Sequence, residues 1–238
     1  MAALAGVKAL LFDVFGTVVD WRNSVARELA AVARAKGVTL DGHAMADAWR
    51  ALYDPQMAPI RAGKRPWTRL DTLHRESLVT LLPRFGLQDL NAADIDDLTH
   101  AWRRLDPWPD SVPGLLRLKR RYVLATCSNG NIALIANMAR WGGLPWDAIL
   151  GAEATRAYKP QPEAYLGSVE ILGLAPAQCA MVAAHNGDLV AASSVGLRTV
   201  FVPRSREHGA VQIKDAAPSG AWDVAAADFN ALADALGC

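Results

Sequence analysis

Four polar groupings stand where apolar runs of this 238-residue chain give way to turns: Asp13 with Thr17, Ser128 with Asn129, Lys159, and Asp188. In an open parallel sheet a ligand sits beyond the carboxyl ends of the strands, so a carboxylate delivered there faces a crevice. Taken singly, Asp13 is an aspartate capping a turn, Ser128-Asn129-Gly130 is an ordinary turn, and Lys159 is a solvated loop lysine. Their recurrence at successive strand ends reads instead as one site. For Asp13 to act as a nucleophile it must stay ionised, and Lys159 supplies the positive charge that lowers its pKa. The hydroxyls of Thr17 and Ser128 and the amide of Asn129 can donate hydrogen bonds to carboxylates. Gly16 and Gly130 let backbone amides approach a ligand.

The elements that must position these residues follow from hydrophobic period. The run 9–12, A-L-L-F, has the length and composition of a strand buried on both faces. After Asp20 the period becomes helical. Helices are expected over 24–37, over 41–53 before Pro55, over 67–85 before Gly86, and over 92–105, with no strand-like run among them. The D-P-W-P-D segment 106–110 reads as a return hinge. Beyond it, helix and strand alternate: helices over 112–120, 132–141, 162–172 and up to 195, and strands over 122–127, 148–150, 180–184 and 198–202. Pro162 suits a first helical turn. This alternation predicts an α/β protein, a doubly wound, Rossmann-like parallel sheet with a helical domain inserted after the first strand. The expected division is a core of 1–20 and 106–238 and a cap of 21–105.

Composition excludes several function classes. At 52% hydrophobic the chain can bury a sizeable core, and Lys+Arg 25 against Asp+Glu 24 gathers no phosphate-backbone footprint. Neither nucleic acid nor a membrane is an expected partner: no apolar run approaches the roughly 20 residues that span a bilayer. Three cysteines, Cys127, Cys179 and Cys238, build neither a disulfide framework nor a C-x-x-C pattern, and fit a reducing cytoplasm. No export signal is expected. Trp21, just after the first motif, is expected at the mouth of the cleft.

The D-V-F-G-T-V-V-D segment at Asp13, the S-N-G at Ser128, the K-P-x-P loop at Lys159 and the Asp188 before a helix match, in order, the four signature motifs of the haloacid dehalogenase superfamily. The chain resembles that superfamily over nearly its whole core, with the insertion where the superfamily carries its helical cap. Most members are magnesium phosphatases. Their general acid, two residues after the nucleophile, is replaced here by Phe15, and their additional metal-binding carboxylate by Ala184. An aromatic ring cannot protonate a leaving alcohol, and the oxygen-ligand set for Mg²⁺ is depleted, so no metal and no cofactor is expected.

The branch lacking both is the L-2-haloacid dehalogenases (type II), and the chain looks like one. That resemblance implies attack by Asp13 on the halogen-bearing carbon of a small 2-haloacid, expulsion of halide, and hydrolysis of the aspartyl ester by water. Halide needs no protonation, so a missing acid is tolerable. It further implies that Tyr165, in K-P-Q-P-E-A-Y, lies near the substrate. Arg50, in a W-R pair with Trp49, would receive halide or substrate carboxylate, with Asn129 and Phe15 on the substrate side. Phe15 replaces a tyrosine often seen in the branch. His185 falls where the family has asparagine, with Ala183 and Ala184 in place of serines. With a reference pKa of about 6.5 it suits orienting or deprotonating the hydrolytic water, or else bonds a backbone carbonyl. Asp188 would fix Lys159 or His185. The alternatives are a magnesium-dependent phosphatase and a catalytically inactive binding module. The oligomeric state stays open between monomer and homodimer.

Overall fold

In the computed structural model, which describes residues 4–210 and 215–238, the run Ala9–Phe12 is strand β1 and all four residues are buried. Its alternation explains why. Leu10 and Phe12 enter one hydrophobic core with Leu124 and Val182, while Ala9 and Leu11 enter another with Cys127 and Met181. A strand covered on both faces needs apolar residues at every position.

The chain continues through β2 (Val19–Asp20), and the Asp20 carboxylate caps α1 (Trp21–Ala35) by accepting from Asn23 N. Helices α2 (Gly42–Ala51), α3 (Tyr53–Arg61), α4 (Leu70–Leu81) and α5 (Ala92–Thr99) follow, with short 3-10 turns at Leu82–Phe85 and His100–Arg103. Among the described residues, none between 21 and 105 is in a strand. The expected hinge is more than a linker: β3 (Asp106–Pro107) pairs antiparallel with β2, Asp106 opposite Asp20. The rest alternates as α6 (Ser111–Leu118), β4 (Val123–Ser128), α7 (Ile132–Gly142), β5 (Ala148–Gly151), α8 (Ala152–Thr155), α9 (Pro162–Ile171), β6 (Cys179–Ala183), α10 (Asn186–Ser194), β7 (Arg198–Phe201), β8 (Val224–Ala225) and α11 (Phe229–Leu236).

Besides the short β2, β3 and α8, which the sequence reading does not contain, three further elements differ from it. Helix α3 occupies Tyr53–Arg61, where the sequence reading ends a helix before Pro55 and places no other until 67. Pro55 falls in its first turn, where a missing N–H costs nothing, and only Pro59 is interior. β8 has two residues, too few to show a period. Helix α11 carries a helical stripe, Phe229, Leu232, Ala233 and Leu236, and Asp228 caps it by accepting from Ala231 N, a signal that was legible.

All pairings of the six-stranded sheet are parallel, in the order β5-β4-β1-β6-β7-β8. After β1 the chain builds β4 and β5 on one side, then crosses to build β6, β7 and β8 on the other. β1 therefore stands at the switch point, where crevices form beyond the carboxyl ends of the strands. The helices after β2 share a hydrophobic core with one sheet face, joined through Phe15 and Val18 to Trp21, Trp49 and Trp102. Among the described residues no helix is long and apolar enough to cross a membrane.

Candidate active site

One residue past β1, Asp13 is held by its own backbone, which donates from N to Val182 O on β6 at 3.0 Å. The residue is 7% exposed. Thr17 Oγ1 donates to Asp13 Oδ2 at 2.6 Å and accepts from Ala184 N at 2.9 Å, so one hydroxyl ties the loop after β1 to the loop after β6. Lys159 Nζ donates to Asp13 Oδ1 at 2.8 Å and to Asp188 Oδ2 at 2.5 Å. Asp188 lies in the first turn of α10, and its Oδ1 accepts from Tyr165 OH at 2.6 Å. It therefore fixes Lys159 and not His185. Asn129 Oδ1 accepts from Lys159 N at 2.8 Å, which anchors the lysine loop to the end of β4. Ser128 is fully buried, and its Oγ accepts from Gly130 N at 3.1 Å, shaping the turn that presents Asn129.

The electrostatics follow from this geometry. Burial alone would raise the Asp13 carboxyl, but the Lys159 ammonium and His185 outweigh it and hold Asp13 well below the usual carboxylate range. Burial likewise opposes the charge on Lys159, and Asp13 and Asp188 more than restore it. Burial pushes the Asp188 carboxyl up against the pull of Lys159. Cys127, at the end of β4, is no rival nucleophile, because burial pushes its thiol up to about 12.

His185 makes no backbone-carbonyl bond of the expected kind. Its Nδ1 is 3.0 Å from Asp13 Oδ2, and its Nε2 is 2.9 Å from Glu207 Oε2. Glu207 is 1% exposed, accepts from Trp21 Nε1 at 3.0 Å, and was invisible in the sequence, where R-S-R-E-H reads as a solvated loop. Trp21 is accordingly buried beneath the site and not at its mouth. The close approach of Glu207 requires Gly16: with φ +86°, a Cβ there would lie 2.1 Å from Glu207 Oε1.

Above Asp13 and Lys159 opens a cleft of about 520 Å³, lined on the sheet side by Phe15, Asn129, Tyr165 and His185 and on the helical side by Arg50 and Tyr53. The Arg50 guanidinium lies 4.0 Å over the Tyr53 ring. Phe15 is 2% exposed and packs edge-on against Tyr53 and Trp102. Trp49, the partner of Arg50 in the W-R pair, faces away from the cleft, with Nε1 donating to His74 O. Tyr53 is a second residue that no sequence signal marks, since the expected helix over 41–53 merely ends on it, whereas it opens α3.

A magnesium ion does not fit these residues. Ala184 stands where an additional metal-binding carboxylate would be needed, and the two remaining carboxylates, Asp13 and Asp188, share the Lys159 ammonium. Among the described residues, no group of three or more His, Cys, Asp and Glu side chains is arranged to hold a metal.

A doubly wound sheet offering an ionised, lysine-paired aspartate under a helical insertion has known counterparts. Residues 7–196 match the family model of the haloacid dehalogenase-like hydrolases, and the chain belongs to that family. Over 203 residues, 83% of this chain and 76% of the relative, it is 28% identical to an (S)-2-haloacid dehalogenase of Xanthobacter autotrophicus. Among solved structures it resembles a defluorinating L-2-haloacid dehalogenase at TM-score 0.95 and 46% identity, over 98% of this chain and 96% of that one. Another L-2-haloacid dehalogenase gives TM-score 0.94 at 45% identity, over 97% of this chain and 99% of that one.

Proposed function

We propose that this chain hydrolyses short 2-haloalkanoic acids to 2-hydroxyalkanoic acids through a covalent ester on Asp13, without metal. In this reading residues 1–20 and 106–238 form the catalytic core and 21–105 the cap over its cleft. The observation that carries it is the Lys159 bridge from Asp13 to Asp188: the charge that stabilises the nucleophile is an ammonium, beside a position 15 that holds no acid. A phosphate dianion would meet an aspartate with no metal to offset their repulsion, whereas a carbon–halogen bond needs only a nucleophile and a place for the halide.

The roles follow. Asp13 Oδ2 accepts from Thr17 and lies against His185, while Oδ1 meets Lys159, so Oδ1 keeps the lone pair for attack on the substrate carbon. Arg50, stacked on Tyr53, receives substrate carboxylate or halide, and Asn129, Phe15 and Tyr165 shape the space around it. Tyr165 also orients Lys159 through Asp188. Ser128 presents Asn129. His185, held by Glu207, faces the ester carbonyl at which water adds.

The test is a single turnover of a 2-haloacid in ¹⁸O-water with chelator present throughout. The expected result is halide release, an unlabelled first hydroxyacid and a labelled peptide containing Asp13, with no turnover by Asp13→Asn. A labelled first product together with appreciable Asp13→Asn activity would mean that water, and not Asp13, attacks the substrate. Loss of halide release on chelation, restored by Mg²⁺, would favour the metal-dependent alternative.

A further inference from the structure

The His185 ring lies between two side chains that, when ionised, only accept hydrogen bonds. Nδ1 is 3.0 Å from Asp13 Oδ2 and Nε2 is 2.9 Å from Glu207 Oε2. A neutral imidazole has one donor nitrogen and one lone pair, so it satisfies one of these contacts and turns its lone pair on the other carboxylate. The imidazolium satisfies both.

The surrounding charges agree. Asp13 faces the ring from the end of β1, with Lys159 and Asp188 behind it. Glu207 and His208 come from the loop after β7, and Arg50 and Asp215 also line the cleft. Burial opposes the cation, but Glu207 and Asp13 outweigh it and raise His185 to about 10. In the resting enzyme His185 therefore holds two protons and has no lone pair with which to take one from water. Ester formation removes one of its two anionic neighbours, since Asp13 becomes neutral while Glu207 keeps its charge.

We propose that esterification of Asp13 is the event that turns His185 into a base, so that the proton of the overall reaction leaves the enzyme with the halide and not with the hydroxyacid. This rests on the covalent mechanism above and adds an order of events to it. In the first step Asp13 Oδ1 bonds to the halogen-bearing carbon and the halide departs with the electron pair of the broken bond. His185 then releases its Nδ1 proton to solvent and keeps Nε2–H on Glu207. In the second step the water oxygen bonds to the Asp13 carbonyl carbon and one water proton passes to His185 Nδ1. The bond between that carbon and the former Oδ1 breaks, and the other water proton ends on the hydroxyl of the product. Asp13 is again a carboxylate and His185 again a cation.

The experiment follows one turnover of 2-chloropropionate by excess enzyme in weakly buffered solution with a pH indicator, sampling halide and hydroxyacid by rapid quench. One proton per active site is expected at the rate of halide release. A proton appearing at the rate of hydroxyacid formation overturns the proposal, because His185 then keeps both protons and only polarises the ester carbonyl. Absence of halide would strike the dehalogenase reading itself, a separate failure. Where the two steps merge in time, ¹⁵N NMR of His185 decides. Both ring nitrogens are expected to be protonated at pH 8 in the unaltered enzyme. In Asp13→Asn, which lacks the carboxylate charge as the ester does, the titration midpoint is expected to fall by two pH units or more. Equal midpoints in the two proteins overturn the proposal.

Discussion

Lys159 Nζ bonds two buried carboxylates at once, Asp13 at 2.8 Å and Asp188 at 2.5 Å, and its removal takes away the ammonium between them, leaving Asp13 with His185 as its remaining cationic partner. Lys159→Ala is therefore expected to slow ester formation on the order of 10²- to 10³-fold, the scale of losing a preorganised charge contact. The sign of the pH effect is also set. Asp13 now sits well below the carboxylate range, so losing Lys159 raises its pKa and moves the acid limb of kcat/KM to higher pH. Pre-steady-state halide release across pH measures both, and near-normal turnover would remove Lys159 from the mechanism. Asp13, Thr17, Lys159 and Asp188 were legible because each sits where an apolar run or a recognisable loop ends. Glu207 carried no such mark, since a glutamate among two arginines and a histidine is the composition of a solvated loop.

At the scale of elements, the turn after β1 and the loop after β7 are fitted to each other. Glu207 reaches His185 only because Gly16 presents no Cβ, and its carboxylate is steadied by the first residue of α1, Trp21. Gly16→Ala is expected to displace Glu207 and strain the φ +86° turn. Ester hydrolysis should slow by roughly 10- to 100-fold, the scale of one charge-assisted hydrogen bond, with ester formation changed far less. Mass spectrometry of the Asp13 peptide during turnover should then reveal accumulated ester; equal slowing of both steps would detach Glu207 from hydrolysis. Capped, periodic elements such as α1 and α5 were readable from local signals. The α2–α3 break was misread, because the two prolines of α3 mask its period although one of them is harmless in a first turn.

For the molecule as a whole, Arg204 is the clamp. Its guanidinium donates to both oxygens of Asp110 and to Thr17 O, and Asp110 also accepts from Phe229 N. The return from the helical insertion, the site loop and α11 thus meet at one ion pair. Asp110→Ala leaves the buried Arg204 charge unpaired and is expected to destabilise the fold by about 3 kcal/mol in urea unfolding at neutral pH. Burial would raise the Asp110 carboxyl, but Arg204 outweighs it and lowers it below 3.8. The contribution is therefore full above that value and fades as pH falls through the lowered one, so variant and parent should converge in acid. An unchanged urea midpoint at neutral pH would show that the clamp is not structural. The sequence alone determined the strand carrying Asp13, the alternation that makes a doubly wound sheet, the helical insertion, and the absence of an acid at position 15. These depend on period and motif order, which are local along the chain. Only the tertiary structure decided that His185 bridges Asp13 to Glu207 and that Trp21 is buried beneath them. It also decided that the D-P-W-P-D segment is clamped by Arg204. Each of these contacts joins residues far apart in the chain, at distances of a few ångströms that the packing of separate elements sets and no local pattern encodes.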